Sequence, residues 1–388
     1  MWRVLAVACA LARTCDAACP GQNLKPNPRD PGERGPWRVG GRRLTNITER
    51  EFDVDVFFPG SGAAQGVYSY DLRVHTPPGV RSHLPDSICT PDSVCPSFPD
   101  RDDEGLAGVY EGLEIDSEHG PFPVVFYVHG TAGWGSASLH MQAHWASRGF
   151  VVVGIDYPGI TLFDLLGVTE LILPPPTDQA GDTRLMLAEL RSMLNPQLEW
   201  LQGRLDLDRI GAVGHSAGGG ATGGLGDIAN VVIPMAGGAP SNDPHGDSAL
   251  VLGGQHDNAA ARIRGYEDYE HEPKRLLIIE ATGHQFCTDL CWIGREYDGI
   301  AQIAEDHGVW QAPLFRSLAN GGCNFDGATR YLSPEAGWRL SNYVISGTLE
   351  ETLMCDEDMT RALEVTGALP HAYDFREELP PLPADQRL

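Results

Sequence analysis

The amino-acid sequence predicts an α/β fold in which helices cover both faces of a mostly parallel sheet. Unbroken apolar runs indicate buried strands at 122–128, 150–155 and 209–213. Segments with the apolar spacing of a helix follow the first two runs, at 137–148 and 178–202. Strands that are apolar on both faces and alternate with helices are typical of a parallel sheet that is buried on both sides.

Shorter strands are predicted on either side of this alternating region. Residues 52–58 alternate between apolar and polar side chains, and residues 70–74 form a second early strand pattern. Three more short apolar runs come after the central strands, at 230–235, 249–252 and 275–279. The sequence contains no internal repeat and no apolar run of transmembrane length, so we expect one domain.

Composition divides the chain around this domain. We expect a leader at 1–19, a flexible linker rich in Pro, Gly, Asn and Arg at 20–36, and a folded domain at 37–350. A stretch rich in Pro, Asp and Ser at 76–121 predicts a loop insertion within the domain. Residues 351–388 follow as a C-terminal extension.

The N-terminus has the features of a secretory signal. One positive charge at Arg3 precedes a short apolar run at 4–12 and small residues near Ala18. The run is too short to span a bilayer, so we expect an exported protein that is secreted, periplasmic or lipid-anchored. An anchor on Cys19 is less favoured, because Asp16 stands where such a signal prefers an aliphatic residue. The alternative is an unstructured N-terminus on a protein that stays inside the cell.

Cysteine usage agrees with export. The chain has nine cysteines, three of them in the predicted leader. An even number in an exported chain indicates disulfide bonds, and Cys89 with Cys95 is the easiest local pair. A zinc site is the alternative, but Cys287 and Cys291 lack a second pair with matching spacing. The six cysteines outside the leader are Cys89, Cys95, Cys287, Cys291, Cys323 and Cys355.

Charge restricts the class of partner. The formal net charge is −25, while 42% of the residues are hydrophobic and 21% are charged, as in a soluble globular protein. An acidic surface repels nucleic acid and anionic membranes, so we expect neither as a partner.

A candidate nucleophile follows a predicted buried strand directly. Residues 214–218 have the pattern G-x-S-x-G with Ser216 at its centre, and a glycine-rich helix is predicted to begin there. A sharp strand-to-helix turn brings backbone segments together and therefore needs small residues on both sides of the serine. The helix N-terminus favours negative charge near the hydroxyl. A chance match is the alternative, and the strand before and the helix after argue against it.

The serine hydroxyl needs a base that takes its proton. In proteins with this type of turn, the three catalytic residues follow one another along the chain in the order serine, acid, histidine. His284 follows the last predicted strand and is the expected base, whereas we expect the other histidines to be solvated or structural. Asp257 follows the strand 249–252 and is the carboxylate expected to orient the histidine. Surface acids in the same interval are its rivals. They are Asp243, Asp247 and Asp268.

Two backbone N–H groups are expected to hold the negative oxygen of a tetrahedral intermediate. One belongs to Ala217, the residue after the nucleophile, and the other to Thr131 in the loop after the strand 122–128. An ordinary strand-to-helix turn is the alternative for that loop. Three apolar side chains are candidates for the substrate pocket, with core packing as the alternative. They are Trp134, Ile160 and Phe163.

These motifs lie in segments that resemble the α/β-hydrolases. The resemblance is to the group of platelet-activating-factor acetylhydrolases, dienelactone-hydrolase-like proteins and cutinase-like polyester hydrolases. It implies the triad Ser216, Asp257 and His284 and the oxyanion positions Thr131 and Ala217. The chain departs from dienelactone hydrolases, whose nucleophile is cysteine. The matching segments are 122–130, 147–156, 208–219 and 283–284, and 157–164 with 283–289 are most similar to bacterial acetylhydrolase-like proteins.

The resemblance implies a serine ester hydrolase that forms an acyl-enzyme and needs no metal or organic cofactor. The expected substrate is a small-molecule, lipid or polymer ester. A peptidase or amidase with the same triad is one alternative. A non-catalytic binding protein on the same fold is the other. The residues predict no oligomeric state.

Overall fold

The structure of the protein is a computed structural model. It describes residues 23–68, 72–82, 108–167, 176–242, 246–293, 295–325 and 329–380. The predicted leader with its candidate anchor Cys19, the Cys89 and Cys95 pair and the rival acid Asp243 lie outside the described residues. Within them, no helix is long and apolar enough to cross a membrane.

Twelve strands of the described chain form one sheet. They are β1 (Arg38–Leu44), β2 (Val54–Ser61), β3 (Gly66–Val67), β4 (Val109–Glu111), β5 (Glu114–Ile115), β6 (Phe122–Val128), β7 (Val151–Ile155), β8 (Leu205–His215), β9 (Val231–Met235), β10 (Ser248–Gly254), β11 (Lys274–Ile279) and β12 (Ala372–Glu378). Their order is β12-β11-β10-β9-β8-β6-β7-β2-β1-β4-β3, and β5 pairs with β2. Neighbours from β11 to β7 are parallel. Strands β12 and β2 flank them antiparallel, so the predicted mostly parallel sheet is confirmed.

Helices connect the strands and cover the sheet. In the described residues they are α1 (Pro78–Arg81), α2 (Leu139–Ser147), α3 (Leu162–Leu166), α4 (Gln179–Ser192), α5 (Ala217–Gly223), α6 (Ala259–Glu267), α7 (Ile300–Asp306), α8 (Ala312–Ala319), α9 (Pro334–Leu353) and α10 (Glu357–Glu364). Short 3-10 helices lie at Leu72–His75, Pro196–Leu201, Arg295–Tyr297 and Thr366–Ala368.

The core has two halves, one on each face of the sheet. Along β6, Val125 and Tyr127 pack into one half, and Val124 and Phe126 pack into the other, because successive side chains of a strand point to opposite faces. Helices α2 and α9 cover the first half, and α4 covers the second. Both faces are therefore buried, as the unbroken apolar strands predict.

Two local predictions differ from the structure. In its described part, the predicted strand at 70–74 is the 3-10 helix Leu72–His75, whose Leu72 side chain packs into the core. The predicted helix at 178–202 divides in two, since α4 ends at Ser192 and a 3-10 helix begins at Pro196. Proline disfavours the helical conformation of the residue before it, so the helix cannot run through this point.

The predicted linker packs against the domain from residue 23 onward. Arg148, at the end of α2, is fully buried and pairs with Glu350 on α9. Its guanidinium also donates to the carbonyl oxygens of Pro28 and Asp30. A buried cation needs partners for all of its donors, and the backbone of this arm supplies them. Composition alone does not reveal contacts made through backbone carbonyls.

The predicted boundary after residue 350 lies inside α9. Beyond it, β12 extends the sheet by pairing with β11. Arg275 of β11 binds Glu377 of β12 at 2.6 Å and Glu351 of α9 at 2.5 Å. The residues after 350 therefore form part of the sheet edge.

Two described cysteines in the second half of the chain form a disulfide with each other. Cys291 and Cys323 are bonded across a separation of 32 residues. The bond joins the segment after β11 to the segment before α9. Cys287 is a free, buried thiol, and burial raises its pKa well above the usual value.

Candidate active site

Ser216 lies in the turn between β8 and α5, at the carboxyl edge of the parallel strands. Its φ is 57°, a left-handed value that non-glycine residues adopt only where the surroundings enforce it. Its N–H donates to the Met235 carbonyl of β9 at 2.8 Å. A methyl group on Gly218 would lie 2.1 Å from the Val128 carbonyl oxygen, and one on Gly237 would lie 2.0 Å from the Ser216 carbonyl oxygen. The strained turn therefore depends on glycine at both contacts.

His284 lies in the loop after β11 and faces Ser216. Its Nε2 is 2.8 Å from Ser216 Oγ, a normal hydrogen-bond length. The main chain after His284 is tied to a distant segment, because the Gln285 N–H donates to the Gly321 carbonyl at 2.8 Å. The Gln285 side chain also donates to the Leu318 carbonyl at 2.7 Å. The end of α8 thus supports the loop that carries the histidine.

Asp257 completes a line of three polar side chains. It follows β10, and its Oδ1 is 3.0 Å from Nδ1 of His284. Among the described residues, its buried Oδ2 has no hydrogen-bond partner. The described rivals lie elsewhere, since Asp247 accepts from Asn230 and Asp268 ends α6. Three side chains from three separate strand ends therefore lie within hydrogen-bond distance of one another.

The two predicted oxyanion groups belong to the residue after Ser216 and to the loop that passes beside it. Ala217 is the first residue of α5, so its N–H has no acceptor within the helix. In the loop after β6, the Ala132 N–H donates to the Ile160 carbonyl at 2.9 Å, while no acceptor of the described chain binds the Thr131 N–H. A methyl group on Gly130 would lie 2.8 Å from Ser216 Cβ, so this loop passes directly beside the serine.

His129 orients the loop, a role that the sequence does not predict. Its Nδ1 is 2.8 Å from the Gly130 carbonyl oxygen, and its Nε2 accepts from the Tyr157 N–H at 3.1 Å. These contacts require the neutral ring with its proton on Nδ1, and burial lowers the pKa of His129 accordingly. The Gly130 carbonyl and the Thr131 N–H belong to one trans peptide and point in opposite directions. By binding that carbonyl, His129 sets the direction of the Thr131 N–H.

A half-buried ionic cluster binds the same loop at Gly135. Asp156, at the end of β7, accepts from the Gly135 N–H at 2.6 Å and from Arg43 at 2.6 Å. Burial alone would raise the pKa of Asp156, but the charges of His75 and Arg43 outweigh it and hold the pKa well below its usual range. The only sequence signal for this cluster is an acid at the end of a buried strand. Its partners are distant in sequence, and no local pattern marks them.

The three candidate pocket residues occupy different environments. Trp134 is 1% exposed and stacks on His75 with ring centroids 5.4 Å apart, so the core-packing alternative applies to it. Ile160 is half-buried and supports the loop through its carbonyl. Phe163 is the second residue of α3 and is 44% exposed. A pocket role for Ile160 and Phe163 stays a prediction.

The described residues contain no cluster of three or more His, Cys, Asp or Glu side chains that could hold a metal ion. The groups that meet at Ser216 are one hydroxyl, one imidazole and one carboxylate, with backbone N–H groups beside them. Such a set can activate the serine oxygen as a nucleophile and stabilise a negative oxygen beside it.

Comparison with known proteins gives a structural match. No family model matches the chain, and no curated protein sequence matches it. The fold is similar to that of a ferulic acid esterase from Streptomyces cinnamoneus, with a TM-score of 0.51 and 18% identity. The match covers 87% of this chain and 94% of that one. The protein therefore has the α/β-hydrolase fold, and the finer grouping with acetylhydrolases or polyester hydrolases stays a prediction.

Proposed function

We propose that the protein is a serine carboxylic-ester hydrolase that uses Ser216, His284 and Asp257. The observation that carries the proposal is the continuous line from Ser216 Oγ to His284 Nε2, at 2.8 Å, and from His284 Nδ1 to Asp257 Oδ1, at 3.0 Å. A hydroxyl becomes a useful nucleophile when a base takes its proton, and the carboxylate stabilises the imidazolium that forms.

The first half of the reaction transfers the acyl group to the serine. Ser216 Oγ bonds to the ester carbonyl carbon while its proton moves to His284 Nε2. The carbonyl oxygen becomes negative and accepts from the N–H groups of Thr131 and Ala217. The tetrahedral intermediate then loses the alcohol, whose oxygen takes the proton from His284. An acyl ester on Ser216 remains.

The second half of the reaction hydrolyses the acyl ester and regenerates the free Ser216 hydroxyl. Water donates a proton to His284 as its oxygen bonds to the acyl carbon, and the same two N–H groups hold the negative oxygen. The bond to Ser216 Oγ breaks, Oγ recovers the proton from His284, and the carboxylic acid leaves. Each step uses side chains and N–H groups of this chain only.

We place this reaction outside the cytoplasm. The disulfide between Cys291 and Cys323 lies close to the candidate site in sequence and is of the kind that persists in oxidising compartments. The signal-like pattern of residues 1–19 supports export independently. Secretion with processing near Ala18 is the simplest form of the proposal. A fusion of the first 19 residues to a reporter enzyme tests it by showing whether the reporter leaves the cytoplasm.

Replacement of the nucleophile tests the proposal directly. Ser216→Ala removes the attacking oxygen, so hydrolysis of a short p-nitrophenyl ester should fall by about 10⁴-fold or more in kcat/KM, as expected when a triad member is lost. Ser192→Ala, an exposed serine at the end of α4, is the matched control and should keep the wild-type rate. Wild-type turnover in Ser216→Ala would remove Ser216 from the mechanism.

A substrate panel separates the ester hydrolase from its alternatives. It contains esters of increasing acyl length, a feruloyl ester, a polyester film and peptide amides. Faster cleavage of esters than of amides supports the proposal, and the reverse order favours a peptidase. A fluorophosphonate probe should label Ser216 in the wild type. No labelling together with no turnover on the panel would favour a binding protein.

A further inference from the structure

His215 directly precedes the nucleophile, and its side chain is buried among the loops of the site. Its Nε2 is 2.9 Å from the backbone carbonyl oxygen of His284. The two imidazole centroids are 4.9 Å apart, with their planes inclined at 51°. A methyl group on Gly130 would lie 3.2 Å from Nδ1 of His215, so the ring also packs beside the oxyanion loop. One side chain therefore contacts both the loop of the base and the loop beside the serine.

The protonation of His215 follows from its partner. A carbonyl oxygen only accepts, so the bond to His284 requires a proton on Nε2 of His215. Burial, and next the neighbouring His284, lower the pKa of His215 to about 3. The other groups that face it are Asp257, which opposes the shift, and His129, which adds to it. His215 is thus a neutral donor at neutral pH and does not repel a positive charge on His284.

We propose that His215 is a positioning residue for His284 and holds its main chain so that Nε2 of His284 stays in line with Ser216 Oγ. Asp257 holds the far side of the imidazole through Nδ1. His215 holds the backbone from which that imidazole projects. Both supports are needed, because a side chain pivots about its Cα when only its tip is bound. The proposal rests on the proposed function and names a residue that serves the base without touching the substrate.

Two amide variants of different reach test this role. In His215→Gln, the side-chain N–H₂ group lies at about the distance of Nε2 and can still donate to the His284 carbonyl. In His215→Asn, the same chemical group is one methylene too short. A displacement of about 1 Å at a reacting group costs about 100-fold in rate. We therefore expect kcat of the Asn variant to fall about 10- to 100-fold, while the Gln variant stays within about 3-fold of wild type.

The measurements separate positioning from general damage. KM for a short p-nitrophenyl ester should change less than about 3-fold in both variants, since the side chain at this position is buried. His307→Gln, at an exposed histidine that ends α7, is the matched control and should keep wild-type kcat. Melting temperatures identify any variant that fails to fold. If the Asn variant loses its fold, His215→Phe, which keeps a ring but cannot donate, takes its place in the comparison with the Gln variant.

The outcomes also distinguish this proposal from the function on which it rests. Wild-type turnover in Ser216→Ala would overturn the ester-hydrolase mechanism, whatever the His215 variants do. Loss of turnover in Ser216→Ala, together with equal kcat in a folded donor-lacking variant and the Gln variant, would overturn the role of His215 alone. An equal loss of kcat in both His215 variants, with both of them folded, would also contradict it, because the Gln side chain restores the donor.

Discussion

At the scale of single residues, the site depends on where side chains are absent. The loop after β6 runs beside the serine, and Gly130 leaves no room for a side chain there, since a methyl group would lie 2.8 Å from Ser216 Cβ. Gly220 lies four residues after the serine, and a methyl group on it would meet no described atom within 4 Å outside its own helix. A side chain therefore has no room at Gly130 but has room at Gly220, although both glycines lie close to the turn that carries Ser216.

Alanine should lower the activity when it replaces Gly130 and raise the stability when it replaces Gly220. In Gly130→Ala, the methyl group pushes the Thr131 N–H away from Ser216, and we expect kcat/KM for an ester to fall about 100-fold, the loss typical of one missing oxyanion donor. In Gly220→Ala, activity should persist and stability should rise by up to about 1 kcal/mol, because alanine favours a helix more than glycine does. Steady-state kinetics and urea unfolding measure both effects. Equal activity in the two variants would contradict this account.

At the scale of elements, loops from separate strand ends converge, and each needs its own support. The loop of His284 leans on residues 318–321 through the backbone and side chain of Gln285. The bond between Cys291 and Cys323 closes the same two segments into one ring. These bonds tie residues 285–291 to residues 318–323, and we call the tied pair of segments the clamp of the His284 loop.

Loss of the disulfide should loosen this clamp. The double variant Cys291→Ser, Cys323→Ser frees a loop of 32 residues in the unfolded chain, so the free energy of unfolding should fall by about 4 kcal/mol. Since His284 directly precedes the clamp, kcat should fall while KM changes little. Denaturant unfolding and kinetics of the wild type and of the double variant check both parts. Unchanged stability and unchanged kcat in the double variant would show that the remaining contacts suffice.

At the scale of the whole molecule, buried titratable groups make folding sensitive to acid. Burial lowers the pKa of His129, His144 and His215. Protonation of these side chains therefore favours the unfolded chain as the pH falls. Asp182 acts in the opposite direction, because burial raises its pKa to about 6 and the folded state binds its proton more readily. The pH dependence of stability is the sum of the contributions of these side chains. Substitution of one side chain isolates its contribution.

His215→Gln isolates the contribution of one buried histidine. The pKa of His215 is about 3 in the folded protein, and the pKa of a histidine in the unfolded chain is about 6.5. Between these values only the unfolded chain binds the proton, so stability is lost as the pH falls below about 6.5. Between pH 7.5 and pH 5, protonation of His215 in the unfolded chain lowers the free energy of unfolding of the wild type by about 2 kcal/mol. The variant lacks this loss. Urea unfolding of both proteins at both pH values should show that difference. An equal loss of unfolding free energy in the two proteins would mean that folding does not lower the pKa of His215.

The sequence by itself determined the parallel sheet, the strand-to-helix turn at Ser216 and the order of Ser216, Asp257 and His284 along the chain. These features rest on local information, because apolar runs, glycines and strand ends are all read within short windows. Only the tertiary structure decided how the loops are supported. It brought Gln285 to Gly321, His215 to the His284 carbonyl and Arg148 to the arm after residue 23. Those contacts join residues that are distant in the chain, often through backbone carbonyls that every residue carries, so no local pattern could mark them.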